Sequence, residues 1–329
     1  VIRWAHRTLH PAWYQGLGKK GSYFEGWYFK LVDPSEKFRL AVIPGIFRAP
    51  DPGGSHAFVQ VLDGMSGAAT YHEYPMEAFH AAREAFNLRI GGNRFALERI
   101  ALDVDMPGCS VKGSLDFLGI TPWPVTLTAP GVMGWFAWVP FLQTYHGVLS
   151  FDHRIDGSLA VNGREIDFDG GRGYIEKDWG RSFPDAWIWM QTNHFEQLGT
   201  SFTASIATIP WLGTSFRGHI IGLWHQGRLY RFATYTGARI EELTLEGEEV
   251  LAVISDRGHR LEIVARGADG GILRGPTGLD MAGRVPESLQ ASVTVRLSVL
   301  RGSRSSVIFE GVGRNAGLEV VGDRPRLLS

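Results

Sequence analysis

The chain has a single cysteine, Cys109, among 329 residues, so neither an internal disulfide nor a thiolate metal cluster can form. A disulfide-built secreted fold is excluded. An excess of charge of either sign is also missing: 33 Lys and Arg against 34 Asp and Glu leave a formal net charge of −1. No overall positive field exists to gather phosphates, and nucleic acid is not an expected partner. Long apolar runs are lacking as well. The longest, residues 129–142, is interrupted by Pro130, Gly131, Gly134 and Pro140 and falls short of the roughly 20 residues that a spanning helix needs. Residues 1–10 hold no apolar stretch of signal-peptide length, so the expected location is the cytoplasm. Two readings stand for Trp135, Phe136, Trp138 and Phe141: peripheral contact with a membrane, or a packing surface between domains. The last absence is sustained 3.6-residue periodicity; residues 76–83 are the best candidate for a short helix and read equally well as irregular.

What is present is glycine, at 42 positions, with 16 Pro, 19 Phe and 11 Trp. That glycine content is well above the usual value of about 7%, and with 44% hydrophobic residues it argues against disorder. Short runs rich in aromatic and β-branched residues recur, bounded by Gly, Pro, Asp or Asn. In the first half they span 24–32, 38–43, 57–62, 85–90, 95–103, 111–117, 147–151, 158–161 and 164–168. In the second they span 187–195, 201–209, 219–224, 228–234, 249–255, 260–266, 292–300 and 306–313. Turn signals such as Asn162-Gly163 and Gln226-Gly227 separate neighbours, as in up-and-down antiparallel sheets. The fold class read from this pattern is all-β.

At about 150 residues per domain, the length suggests two domains. Tyr23-Phe24-Glu25-Gly26-Trp27 is echoed by Tyr174-Ile175-Glu176-Lys177-Asp178-Trp179, close to half the chain away. The echo predicts two related antiparallel barrels, 1–165 and 166–329, each half opening on one of the runs.

Familiar chemical motifs fail. Gly16, Gly18 and Gly21 match the dinucleotide fingerprint, but a strand follows where a helix is needed. No His, Cys, Asp or Glu set has zinc spacing and no Ser sits in a nucleophile elbow, so no metal is expected. The two Tyr-x-Glu runs are more informative. Strand alternation places Tyr23, Glu25, Trp27 and Phe29 on one face, with Tyr28 and Lys30 on the other. An acid among rings is desolvated, which favours its neutral form unless a cation pairs with it. A structural carboxylate fits Glu25 equally well. Glu176 and Asp178 share a face two residues apart, and like charges so placed push one pKa up. Lys177 points the other way together with Trp179 and is expected in a surface or interface ion pair. Trp187, Trp189, Gln191 and Asn193 also align, two π faces followed by two neutral polar groups. That mixture suits a ligand pocket, with a wet inter-domain interface as the alternative.

These segments, with Ser182-Phe183-Pro184 and Leu273-Arg274-Gly275-Pro276-Thr277, closely resemble the signature segments of tocopherol cyclases. The first run more distantly resembles a pattern in carotenoid hydratases and related lipocalin-like cyclases. The resemblance implies two lipocalin-like β-barrels with the site between or inside them, and a cofactor-independent isomerase of the kind used in vitamin E biosynthesis. Its partner would be a lipophilic small molecule, a prenylated hydroquinone closed to a chroman after protonation of a prenyl double bond. Under this resemblance Glu176, Asp178 and Glu25 are candidate proton donors, and Trp27, Trp187 and Trp189 offer π faces to a carbocation. Trp179 joins the substrate-binding set; Tyr28, Gln191 and Asn193 would orient the phenol, and His146 or His194 would take up its proton. Asp178 stands where the family usually has Asn, and His194 where it is usually apolar. A terpenoid hydratase or cycloisomerase and a non-catalytic lipid carrier are the alternatives.

Overall fold

The computed structural model describes every residue except Val1, Glu248, Ser303 and Ser329. It resolves into two units: Val1–Phe183 with Gly271–Val285, and Pro184–Gly270 with Pro286–Ser329. Among the described residues helices are confined to α1 (Ile2–Thr8), α2 (Arg324–Leu328) and 3-10 segments, and no helix is long and apolar enough to cross a membrane.

The first unit holds β1 (Tyr23–Val32), β2 (Arg39–Arg48), β3 (His56–Asp63), β4 (Ala69–Tyr74), β5 (Phe79–Ala81) and β6 (Asn87–Ile90). It continues with β7 (Asn93–Ala96), β8 (Arg99–Met106), β9 (Cys109–Leu118), β10 (Thr144–Val161), β11 (Arg164–Asp167) and β12 (Gly171–Gly180). The second begins with β13 (Ala186–Thr192), β14 (Ser201–Trp211), β15 (Thr214–His225), β16 (Arg228–Ala233), β17 (Arg239–Glu246), β18 (Glu249–Ser255) and β19 (His259–Arg266). After β20 (Gly271–Gly275), the long strands β21 (Gly283–Arg301) and β22 (Arg304–Gly322) complete the chain. The all-β expectation is met by two large antiparallel sheets.

Both sheets wind the same way. Four strands meander from β1 to β4, a 3-10 turn at Met76–Ala78 follows, and the chain meanders back until β12 pairs beside β1. In the second sheet β13 to β16 lead to a 3-10 turn at Thr234–Thr236, and β22 returns beside β13. The hydrogen-bonded order in each is an open path, with β4 and β5 at the ends of one and β16 and β17 at the ends of the other. The expected closed barrels are therefore open ladders among the described residues. In the first sheet the reason lies in β5, whose three residues pair with β6 and present little backbone to bridge the remaining edge.

Alternation fills each unit's core. Trp27, Phe29 and Leu31 of β1 pack with Ile175 of β12 in one; Ile188 and Met190 of β13 pack in the other. Each such buried side chain contributes roughly 1.5–3 kcal/mol.

Residues 165 and 166 lie in β11, inside the first unit. The run Tyr174 to Trp179 does not open the second half; it lies in β12 and pairs antiparallel with β1, Trp27 opposite Lys177 and Glu25 opposite Trp179. The other edge of β12 bonds to β10, which ties the second run into the first sheet. The two similar runs are neighbours across one ladder, and β13 opens the second unit.

Candidate active site

Register decides which side chains of β12 meet. On its β10 side Asp178 lies opposite His146 and Glu176 opposite Val148; on its β1 side Glu176 lies opposite Tyr28 and Tyr174 opposite Lys30. Because Trp27, Phe29 and Ile175 point into the core, the alternate positions Tyr28, Lys30, Tyr174, Glu176 and Asp178 project from the opposite face. On that face His146 Nδ1 is 2.9 Å from Asp178 Oδ1, and His146 Nε2 is 3.7 Å from Glu176 Oε2. The Tyr174 hydroxyl donates to Glu176 Oε2 at 2.6 Å. Tyr174 and Lys30 are fully buried and Glu176 nearly so.

Burial works against charge on His146, but Asp178, then Glu176, then the hydrogen bond to Asp178 outweigh it and raise its pKa from 6.5 to about 9. His146 is thus held as an imidazolium bridging two acids. The sequence reading had the two carboxylates opposing each other directly, with His146 among the groups around the phenol. The histidine, delivered by a strand some thirty residues earlier, changes that balance. The same donor atoms of His146, Glu176 and Asp178 lie within 4.8 Å of one another and could hold a metal ion. Spacing rules missed them because the ligands come from two strands.

The inward face of the same ladder carries a different set. Lys177 Nζ is 2.7 Å from Glu25 Oε1, and both side chains are fully buried. Glu25 also accepts from the backbone N–H of Gln15 at 2.9 and 3.0 Å and of Gly16 at 2.9 Å, and from the Tyr23 hydroxyl. Lys177 donates to the carbonyls of Pro11 and Trp13, and its ammonium sits 4.8 Å from the ring centres of both Trp27 and Trp179. Burial lowers the Lys177 pKa against the pull of Glu25. Lys177 is therefore a core residue rather than the surface or interface cation expected. Glu25, saturated with donors, and Lys177 together clamp residues 11–16 to the sheet. The face of Trp27 is taken by Lys177, and its ring stacks on Phe86 at 5.8 Å. Trp179 stacks on Tyr145 at 5.6 Å. Together with His146, Arg7, Pro11 and Met133 it lines a small cavity of about 50 Å³.

Trp187, Trp189, Gln191, Asn193 and His194 belong to the second unit. Trp187 and Trp189 project from the face opposite that unit's core, since Ile188 and Met190 fill the core. Trp187 Nε1 donates to Glu319 Oε2 at 2.6 Å, and Trp189 lies opposite Glu319 in the ladder. Gln191 and Asn193 are fully buried. His194 bridges in antiparallel fashion to Arg314. Sequence reasoning missed Tyr174, Lys30 and the acids Glu287 and Glu319, which stand directly opposite each other. Their signal was available only as polar residues within strand-like alternation. The Leu273 to Thr277 segment serves to pin β20 to β3: Arg274 N donates to Gln60 Oε1 at 2.6 Å and Gln60 Nε2 donates back to Arg274 O at 3.1 Å.

A family model described as tocopherol cyclase-like matches residues 118–322. That span includes Glu176, Asp178 and His146 and leaves the run at residues 23–30 outside. A maize protein named "Tocopherol cyclase, chloroplastic" is 28% identical over 201 residues, 57% of this chain and 41% of the maize protein. The rice (Oryza sativa subsp. japonica) protein named "Probable tocopherol cyclase, chloroplastic" is 26% identical over 209 residues, 60% of this chain and 44% of the rice protein. The chain thus spans less than half the length of these curated relatives. Among solved structures, an AttH-type protein from Nitrosomonas europaea superposes with a TM-score of 0.56 at 12% identity, covering 94% of this chain and 95% of that one. At that identity the likeness is one of fold.

Proposed function

Because the chain belongs to the tocopherol cyclase-like family, we propose that it is an isomerase that closes a chroman ring on a prenylated hydroquinone by acid catalysis. The observation that carries this reading is His146 standing between Asp178, at 2.9 Å, and Glu176, at 3.7 Å. With His146 charged and Asp178 its counter-ion, the cluster is neutral when Glu176 carries a proton. The proton on His146 is held by both acids, which raise its pKa to about 9 against the cost of burial. In this reading Glu176, fixed by the Tyr174 hydroxyl, protonates the prenyl double bond, and His146 does not.

The tertiary cation is captured by the phenol oxygen, forming the C–O bond. His146 returns its Nε2 proton to Glu176 while its Nδ1 proton stays on Asp178, and the vacated Nε2 then takes the phenol proton, which restores the starting state. Atoms balance, and the product is an isomer of the substrate. Tyr28, on the same face and opposite Glu176, would orient the hydroquinone.

The test is incubation with a prenylated hydroquinone and detection of the chroman. Glu176→Gln is expected to lower kcat by about 10²–10⁴-fold, the usual worth of a general acid, with the fold intact. Turnover unchanged in that variant, or uptake of oxygen from water into the product, would overturn the reading.

A further inference from the structure

Two segments of the first unit differ from the rest of the chain in charge. Residues 117–151 contain no Asp, Glu, Lys or Arg, whereas residues 1–24 contain Arg3, Arg7, Lys19 and Lys20 and no acid. The fold packs these segments together. The ring of Trp4 on α1 meets Trp138 edge-on at 5.5 Å, and Trp138 Nε1 donates to Leu127 O at 3.0 Å. Trp4, Arg7 and Lys19 line one cavity with Pro130, Met133 and Pro140.

Around this junction the apolar side chains face outward. Leu127 is 73% exposed, Phe141 52%, Trp135 47% and Trp4 38%. Trp135 stacks on Phe136 at 4.1 Å, and the Arg181 guanidinium reaches Phe141 O at 3.5 Å. The backbone beneath is a 3-10 segment, Gly131–Trp138, turned by Gly134 at φ 56°. That positive φ suits glycine. Exposed Trp, Phe and Leu on segments that carry cations but no carboxylate of their own are the combination that an anionic lipid–water interface selects: rings settle at headgroup depth while Lys and Arg pair with phosphates.

We propose that this rim docks the protein on an anionic bilayer, with Trp135, Phe141 and Leu127 inserted and Lys19 and Lys20 against the headgroups. The cavity behind the rim is bordered by His146, so docking brings the acid cluster to the surface where a prenylated substrate resides. This last step rests on the cyclisation reading; the docking does not.

Vesicle flotation tests it. The full chain should float with vesicles of phosphatidylglycerol and phosphatidylcholine and be released by salt, as surface electrostatics require. The double variant Trp135→Ser/Phe141→Ser should bind about tenfold less while melting as the parent does. Trp135→Phe should bind like the parent. Lys19→Glu/Lys20→Glu should lose the preference for phosphatidylglycerol over pure phosphatidylcholine. A parent that does not float, or a serine double variant that floats equally well, overturns the proposal. Chroman formation from vesicle-embedded substrate should fall with binding in the serine variant, while turnover of detergent-dispersed substrate stays at the parental rate. A parent that floats but makes no chroman leaves the docking intact and removes the cyclisation reading.

Discussion

The two faces of the β1–β12 ladder hold similar residues and do different work. Inward, Glu25 and Lys177 are both fully buried 2.7 Å apart, and every oxygen of the acid is engaged by backbone and hydroxyl donors. Outward, Glu176 and Asp178 share one histidine, whose pKa they raise to about 9. The difference teaches that burial of a carboxylate does not mark a catalytic acid. A buried pair with its hydrogen bonds made holds structure in place, whereas a histidine shared by two acids is a candidate for proton transfer.

The largest effect should come from breaking the inward pair. Lys177→Met leaves a buried carboxylate without its cation and is expected to cost about 3–5 kcal/mol of stability, read by chemical denaturation. Joining it to Glu25→Leu should recover part of that loss, because neither charge is then stranded. If the single change proves neutral, the contrast between the faces collapses. Next is Glu176→Gln on the outward face. Its loss should appear in kcat, with a denaturation midpoint close to the parent's, the reverse of the Lys177→Met pattern.

Asp178→Asn should lower kcat less than Glu176→Gln does, because the proton donor stays in place. It also removes the largest contribution favouring charge on His146. The folded pKa of His146 is raised from 6.5 to about 9, so its stabilisation is complete below about 6.5 and is lost as pH rises through about 9. Asp178→Asn should narrow that window by drawing its upper limit toward 6.5, which denaturation at stepped pH and NMR titration of the imidazole both measure. The smallest expected effect is on metal binding. Zinc should inhibit by displacing the proton between His146 and Asp178, and more strongly as pH rises, since only deprotonated imidazole is a ligand. Activation by zinc would instead make the outward cluster a metal centre.

Much of the outward face was legible from residues alone. Alternation separated Glu176 and Asp178 from Lys177 and Trp179, and it placed Trp187 and Trp189 together. The partners were not legible. His146 lies on a strand whose register with β12 shifts at a bulge after Val148, and no local pattern encodes that offset. Tyr174 was visible as part of the echoed run, but its bond to Glu176 depends on the two side chains sharing one face at close range. The echo itself pointed the wrong way for organisation. Two runs that look like repeats opening two halves are paired across one ladder, because β12 finds hydrogen-bonding partners in both β1 and β10.

The sequence by itself determined the all-β class, the face on which each side chain of a strand would lie, the absence of paired cysteines and a net charge close to zero. Those follow from local sterics, the two-residue period of a strand and simple counting. The tertiary structure alone decided which faces became core and which strands lie side by side. It also decided that Lys177 neutralises Glu25 while His146 joins Glu176 to Asp178. Those outcomes depend on contacts between residues far apart in the chain, where the free energy of burying rings and pairing charges is set by register rather than by neighbouring sequence.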